Sequence, residues 1–126
     1  MPTRRILVID DESDIREVTQ MSLETVSGWQ VLTAESGDEG ITKAKREKPD
    51  AILLDAMMPS MDGPETFQRL RADPSTKQIP VIMFTAKVQA ADRKRFADLG
   101  VKDLIAKPFD PMKLGSQIAA ILGWSV

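Results

Sequence analysis

Five short apolar runs, rich in β-branched residues, punctuate the chain: Ile6 to Ile9, Gln30 to Ala34, Ala51 to Leu54, Val81 to Phe84 and Leu104 to Ala106. Between and after them, apolar positions recur at helical spacing, so strands and amphipathic helices alternate. That alternation predicts an α/β domain of parallel strands joined by crossover helices rather than a sandwich or a bundle. The first, third and fourth runs are almost continuously apolar, as central strands covered on both faces should be. Gln30-Val31-Leu32-Thr33-Ala34 alternates instead and reads as an edge strand.

Helix boundaries carry their own signals. Ser36-Gly37-Asp38-Glu39 matches a capping box, in which Ser and Glu satisfy each other's orphan backbone donors, so a helix is expected from there to about Glu47, stopped by Pro49. Pro64 and Pro111 fall where a first helical turn tolerates a missing donor. Gly100 and Gly123 fall where helices commonly end. Residues 71–77 read as a turn-rich connection too short to be a domain linker.

With 126 residues the chain has the size of one domain spanning 1–126 around one core. Its net charge of −2, with cations spread along the sequence, gives nucleic acid or an anionic membrane no electrostatic footprint. The densest basic stretch, Arg93-Lys94-Arg95, is flanked by Asp92 and Asp98 in a helical pattern and reads as a solvated helix face. Without Cys there is neither a disulfide nor a thiolate metal site, and without His there is no imidazole base or phosphohistidine. No apolar run approaches the ~20 residues of a membrane span, and the strand-like run that follows Arg5 is too short for a signal peptide, so a cytoplasmic location is expected.

Chemistry concentrates at the strand ends, where open parallel sheets bind their ligands. The first run ends in Asp10-Asp11, the third in Asp55, the fourth in Thr85 and the fifth in Lys107-Pro108. Each has a bland explanation: an Asp can cap a turn, a Thr can end a strand and a Lys can be a surface charge. Together they are far more specific, because Asp55 closes a buried run where a charge needs a partner. Carboxylates ~4 Å apart repel by about 4 kcal/mol per pair at an effective dielectric near 20, a cost that a divalent cation relieves. The donors are hard oxygens, which suits Mg²⁺, or Mn²⁺ in its place. Asp55 would then attack phosphorus in line and form an acyl phosphate, with Lys107 and Thr85 binding phosphoryl oxygens.

The chain resembles response-regulator receiver domains over essentially its full length. The resemblance rests on Asp10-Asp11, on the block from Leu53 to Gly63, on Phe84-Thr85-Ala86 and on Ile105-Ala106-Lys107-Pro108-Phe109. It implies a doubly wound five-stranded parallel sheet in strand order 2-1-3-4-5, with helices on both faces. It implies that Asp55 is the phosphoacceptor and that Asp10, Asp11, Asp55 and the Met57 backbone carbonyl hold the metal. Thr85 would act as the switch residue and Lys107 as the phosphate-binding cation, with a cis Lys107-Pro108 bond. The implied donor is a histidine kinase or histidine phosphotransfer protein. The implied output is a protein target on the face of the fourth helix, fifth strand and fifth helix, the domain itself being a monomer or weak dimer that catalyses its own phosphorylation and dephosphorylation.

Leu104 stands where such domains usually carry Tyr or Phe, which calls the aromatic part of the switch into question. By the same resemblance, Met57 and Lys87 fall at positions that overhang the acyl phosphate in such domains, and neither can orient a hydrolytic water, so a long-lived phosphoryl group is expected. Ending just after the last helix, the sequence reads as a stand-alone receiver, the alternative being a receiver cut from a hybrid histidine kinase or multidomain regulator. A flavodoxin-like mononucleotide binder shares the strand pattern, but the acidic first loop lacks the glycines and hydroxyls that cradle a phosphate. An aspartyl phosphatase would space its acids one residue apart, whereas Asp10 and Asp11 are adjacent.

Overall fold

The computed structural model describes residues 3–86 and 89–124. Strands and helices alternate throughout: β1 (Arg5–Ile9), α1 (Ser13–Thr25), β2 (Gln30–Ala34), α2 (Gly37–Glu47), β3 (Ala51–Asp55), α3 (Gly63–Ala72), β4 (Val81–Thr85), α4 (Ala90–Leu99), β5 (Asp103–Ala106) and α5 (Leu114–Leu122). All neighbours pair in parallel, in the order β2-β1-β3-β4-β5. The five apolar runs are thus the five strands, to within one residue at either end, and β2 lies at an edge as its alternation requires.

Strand period 2 splits each central run between two cores. Leu7, Ile9, Ile52, Leu54 and Met83 face one way, onto Ala44 of α2, Phe67 and Leu70 of α3 and Phe96 of α4. Ile6, Val8, Leu53, Ile82 and Phe84 face the other way, onto Leu23 of α1 and Leu114, Ile118 and Ala119 of α5. A strand buried on both faces must be apolar at every position, which is why these runs do not alternate. Any charge at the end of such a strand is delivered to the same edge of the sheet.

The caps agree with the sequence in most places. The Ser36 side chain accepts the Glu39 N–H at 3.1 Å, and α2 runs to Glu47. The return bond differs from a strict capping box, since Glu39 accepts from the N–H of Glu35, one residue before the cap, at 2.7 Å. Gly100 and Gly123 end α4 and α5 with φ of 104° and 72°. Pro64 lies in the first turn of α3 behind an Asp62 cap. Pro111 does not begin a helix: residues 111–113 form a turn, and α5 starts at Leu114. The Asp110 side chain accepts the Met112 N–H at 2.9 Å and the Asp110 backbone carbonyl accepts the Leu114 N–H at 3.1 Å, so residues 111–113 form a capped turn that leads into α5.

Candidate functional site

At the carboxyl end of the sheet, β1 and β3 lie side by side with Ile9 opposite Leu54, so Asp10 and Asp55 emerge as neighbours. One carboxylate oxygen from each of Asp10, Asp11 and Asp55 can be chosen so that all three lie within 4.8 Å of one another. The three are not equivalent. Asp10 and Asp55 are buried, at 0% and 4% exposure, while Asp11 is exposed. Consecutive residues leaving a strand point in opposite directions, so the pair supplies one interior acid and one at the rim.

Asp10 is tied down on every side. Its N–H donates to the Ala34 carbonyl at 3.0 Å, its Oδ1 accepts the Glu12 N–H at 2.9 Å, and its carbonyl accepts from the Arg16 guanidinium at 2.8 Å. Its Oδ2 accepts from Lys107 Nζ at 2.8 Å, and the same ammonium lies 3.5 Å from Asp55 Oδ1. Asp55 Oδ1 also accepts the Met57 N–H at 3.1 Å. Lys107 reaches this position from the end of β5, with its Nζ 4.9 Å from the centroid of the Phe84 ring and its peptide bond to Pro108 cis.

Burial pushes the Asp55 carboxyl up to about 7; the Met57 N–H and the Lys107 charge pull it down, while Asp10 and Asp11 add to the rise. Lys107 is shifted up as well: burial works against its charge, but the bond to Asp10 and the charges of Asp10, Asp55 and Glu12 outweigh it. The repulsion among the acids is therefore relieved in part by Lys107, a role that strand-end spacing alone does not reveal. What remains is a cluster of oxygen donors carrying more negative charge than one ammonium neutralises. This donor set fits a hard divalent cation and offers nothing to a soft one.

Thr85 closes β4 and is buried, and its carbonyl accepts the Lys107 N–H at 2.9 Å. In the sheet it pairs with Ala106, while Asp55 pairs with the preceding Phe84, so Thr85 stands one strand away and one residue further along. Met57 contributes its N–H to Asp55 and is itself 60% exposed. Lys87, the other residue expected to overhang the site, lies outside the described residues.

Two contributors escape a reading of motifs, and a third stands in its motif without a reason. Glu12 and Arg16 fix Asp10 from the start of α1, at helical spacings that resemble ordinary surface charge. Gly63 begins α3 by folding back onto the acid-bearing strand, donating its N–H to the Ala56 carbonyl at 3.1 Å. A Cβ there would stand 2.7 Å from both the Ala56 Cα and the Asp55 carbonyl oxygen, so only glycine fits. Close backbone approach is the physical reason for a glycine at the end of the Leu53 to Gly63 block.

A family model described as response regulator receiver domain matches residues 6–119. The alkaline phosphatase synthesis transcriptional regulatory protein PhoP of Bacillus subtilis is 41% identical over 94% of this chain and 48% of its own length. The phosphate regulon transcriptional regulatory protein PhoB of Escherichia coli is 40% identical over 94% of this chain and 52% of its own. The chain thus spans about half the length of the curated relatives it matches. Among solved structures, the chemotaxis protein CheY4 of Vibrio cholerae superposes with a TM-score of 0.89 at 28% identity, covering 95% of this chain and 99% of that one. A putative response regulator from Chloroflexus aurantiacus gives 0.87 at 30% identity, covering 97% and 99%.

Proposed function

The chain belongs to the response-regulator receiver family of two-component signalling, and from that premise we propose that Asp55 is its phosphoacceptor and that phosphorylation there is its signalling event. The observation that carries this is a buried carboxylate at the centre of the sheet's carboxyl edge, held by the Met57 N–H and faced by the Lys107 ammonium. A carboxylate fixed in that way is a positioned nucleophile.

The donor is a phosphohistidine, carried by a histidine kinase or a histidine phosphotransfer protein. An Asp55 carboxylate oxygen forms a bond to phosphorus as the phosphorus–nitrogen bond breaks; the nitrogen keeps the electron pair and leaves as imidazole, and an acyl phosphate remains. On this reading Lys107 balances charge on one phosphoryl oxygen, and the Thr85 hydroxyl bonds another once the group has arrived. Asp10, Asp11, Asp55 and the Met57 carbonyl would hold Mg²⁺, or Mn²⁺ in its place, which when bound supplies charge neutralisation for the phosphoryl oxygens. On this reading the chain catalyses its own phosphorylation and dephosphorylation and acts on a protein target through the face of α4, β5 and α5.

No helix among the described residues is long and apolar enough to cross a membrane, which is compatible with a cytoplasmic regulator. Residues 1–126 make one receiver domain. The length of the curated relatives favours a second arrangement, in which such a domain is the receiver part of a longer regulator.

The test is intact-mass analysis after incubation with acetyl phosphate. One phosphoryl group should appear in the presence of Mg²⁺ and disappear with EDTA. Equal labelling of Asp55→Ala would reject the assignment.

A further inference from the structure

At the opposite pole of the sheet from Asp55, a cavity of about 400 Å³ opens beside the start of β4, between the ends of α3 and α4. Its volume lies within the range of small-molecule sites, roughly 300–1,000 Å³. Arg71, Lys77 and Lys102 line it together with a short apolar wall that includes Ile79 and Pro80, and among the described residues no acidic side chain does.

This concentration of positive charge runs against the rest of a chain whose net charge is −2. Nearby acids are already engaged elsewhere: Asp73 with Lys45 at 3.0 Å, Asp98 with Lys94 at 3.1 Å and Asp103 with Arg93 at 3.5 Å. Among the described residues, Arg71, Lys77 and Lys102 have no ion-pair partner. The carboxyl-terminal ends of α3 and α4 both face this region and attract cations. Each helix end is worth about half a negative charge, so the two offset roughly one of the three positive charges and leave about two.

Arg71 is also placed rather than loose. Its guanidinium lies over the Phe67 ring, 5.6 Å from the centroid, and a Cβ at Gly100 would stand 3.2 Å from its Nη1. A planar guanidinium held over a ring presents a directional fork, while the two ammonium groups act as mobile point charges. One fork and two ammonium groups around a small cavity match an anion bearing at least two charges on clustered oxygens.

We infer that this cavity is a second ligand site, which takes a small phosphate-bearing polyanion, either inorganic or part of a nucleotide. The cavity touches Val81, the first residue of β4, whose last residue is Thr85. At ~3.3 Å per residue, one rigid strand of about 13 Å separates the two sites. Phosphate groups that bind here do so without the acid cluster and without Mg²⁺.

The test is a titration of the 126-residue chain with pyrophosphate, in EDTA at low ionic strength, followed by backbone amide shifts. The amides of Lys77, Val81, Gly100 and Lys102 should move and saturate, while those beside Asp10 and Asp55 stay in place. Lys77→Gln combined with Lys102→Gln should weaken binding at least about tenfold, and Arg71→Lys several-fold, with melting temperatures unchanged. Lys45→Gln combined with Lys94→Gln, which removes cations that already have acid partners, should bind as wild type does. An ADP arm separates the two sources: tighter binding than pyrophosphate assigns a nucleotide seated on the apolar wall, and equal binding assigns the phosphate groups alone. Shifts that never saturate, that spread over all surface lysines, or that survive the Lys77/Lys102 double substitution would overturn the site.

Discussion

At the scale of single residues, the site is a balance of charges set by burial. Folded Asp55 keeps a proton up to about pH 7, whereas its ordinary value is 3.8. The stability it contributes is complete below pH ~4 and is lost as the pH rises through 7, because the folded state then holds an unwelcome buried charge. Without metal, the wild-type melting temperature should fall across that window, by an amount on the order of a few kcal/mol in stability. Asp55→Asn should remove this fall and melt higher than wild type at pH 8 in EDTA, and Mg²⁺ should raise wild type far more than the variant. Thermal melts at several pH values check this, and a wild-type profile that is flat in EDTA would contradict it. Lys107 works in the opposite sense. Lys107→Ala should cost about 1–3 kcal/mol at neutral pH by stripping Asp10 of its buried partner, and much less once Asp10→Asn is already present. A double-mutant cycle measures that coupling.

At the scale of elements, β1, β3 and β4 were readable in the sequence because burial on both faces leaves no room for polar residues. The acids were readable for the complementary reason that a charge at the end of such a strand stands out. Asp10 and Asp11 could not be told apart before the fold showed one turned inward and one left at the rim. Lys107 was legible as a strand-end cation but not as the countercharge of Asp10, since 97 residues separate them in sequence. Pro111 tolerates its missing donor as expected, but in a capped turn that leads into α5 three residues before the helix itself begins. Gly63 was visible in its motif without a reason, and the fold supplies one: the loop from Ala56 to Asp62 returns so closely to β3 that a methyl group would strike its backbone. Gly63→Ala should therefore cost about 1–3 kcal/mol and slow labelling by acetyl phosphate more than the stability loss explains, because the clash falls on Asp55 itself. Labelling rates at a temperature where both proteins are folded make the comparison, and an unchanged rate would show that the loop adapts elsewhere.

At the scale of the whole molecule, the question is which part can move when a phosphoryl group arrives. The helices are not equally anchored. α3 buries Gly63, Thr66, Phe67 and Leu70, whereas α4 buries Phe96 alone among its described residues. A helix held by one large side chain is displaced at lower cost than one held along its length, so α4 is the element best suited to respond. Thr85 and Lys107 sit at the ends of the two strands that flank α4 in the chain, which directs any movement at the site toward it. Leu104 does not offer the rotating ring usual at its position; it is buried in the same cluster as Met83 and Phe96 and so moves with its neighbours. Amide shifts induced by a stable phosphoryl mimic with Mg²⁺ should accordingly concentrate in α4 and β5, with α1 and α2 little affected. Thr85→Ala should still bind the mimic at Asp55 but lose most of the α4 response, because the hydroxyl that would draw β4 toward the phosphoryl group is gone. A response in α4 that survives Thr85→Ala, or one confined to α1, would place the transmitting element elsewhere.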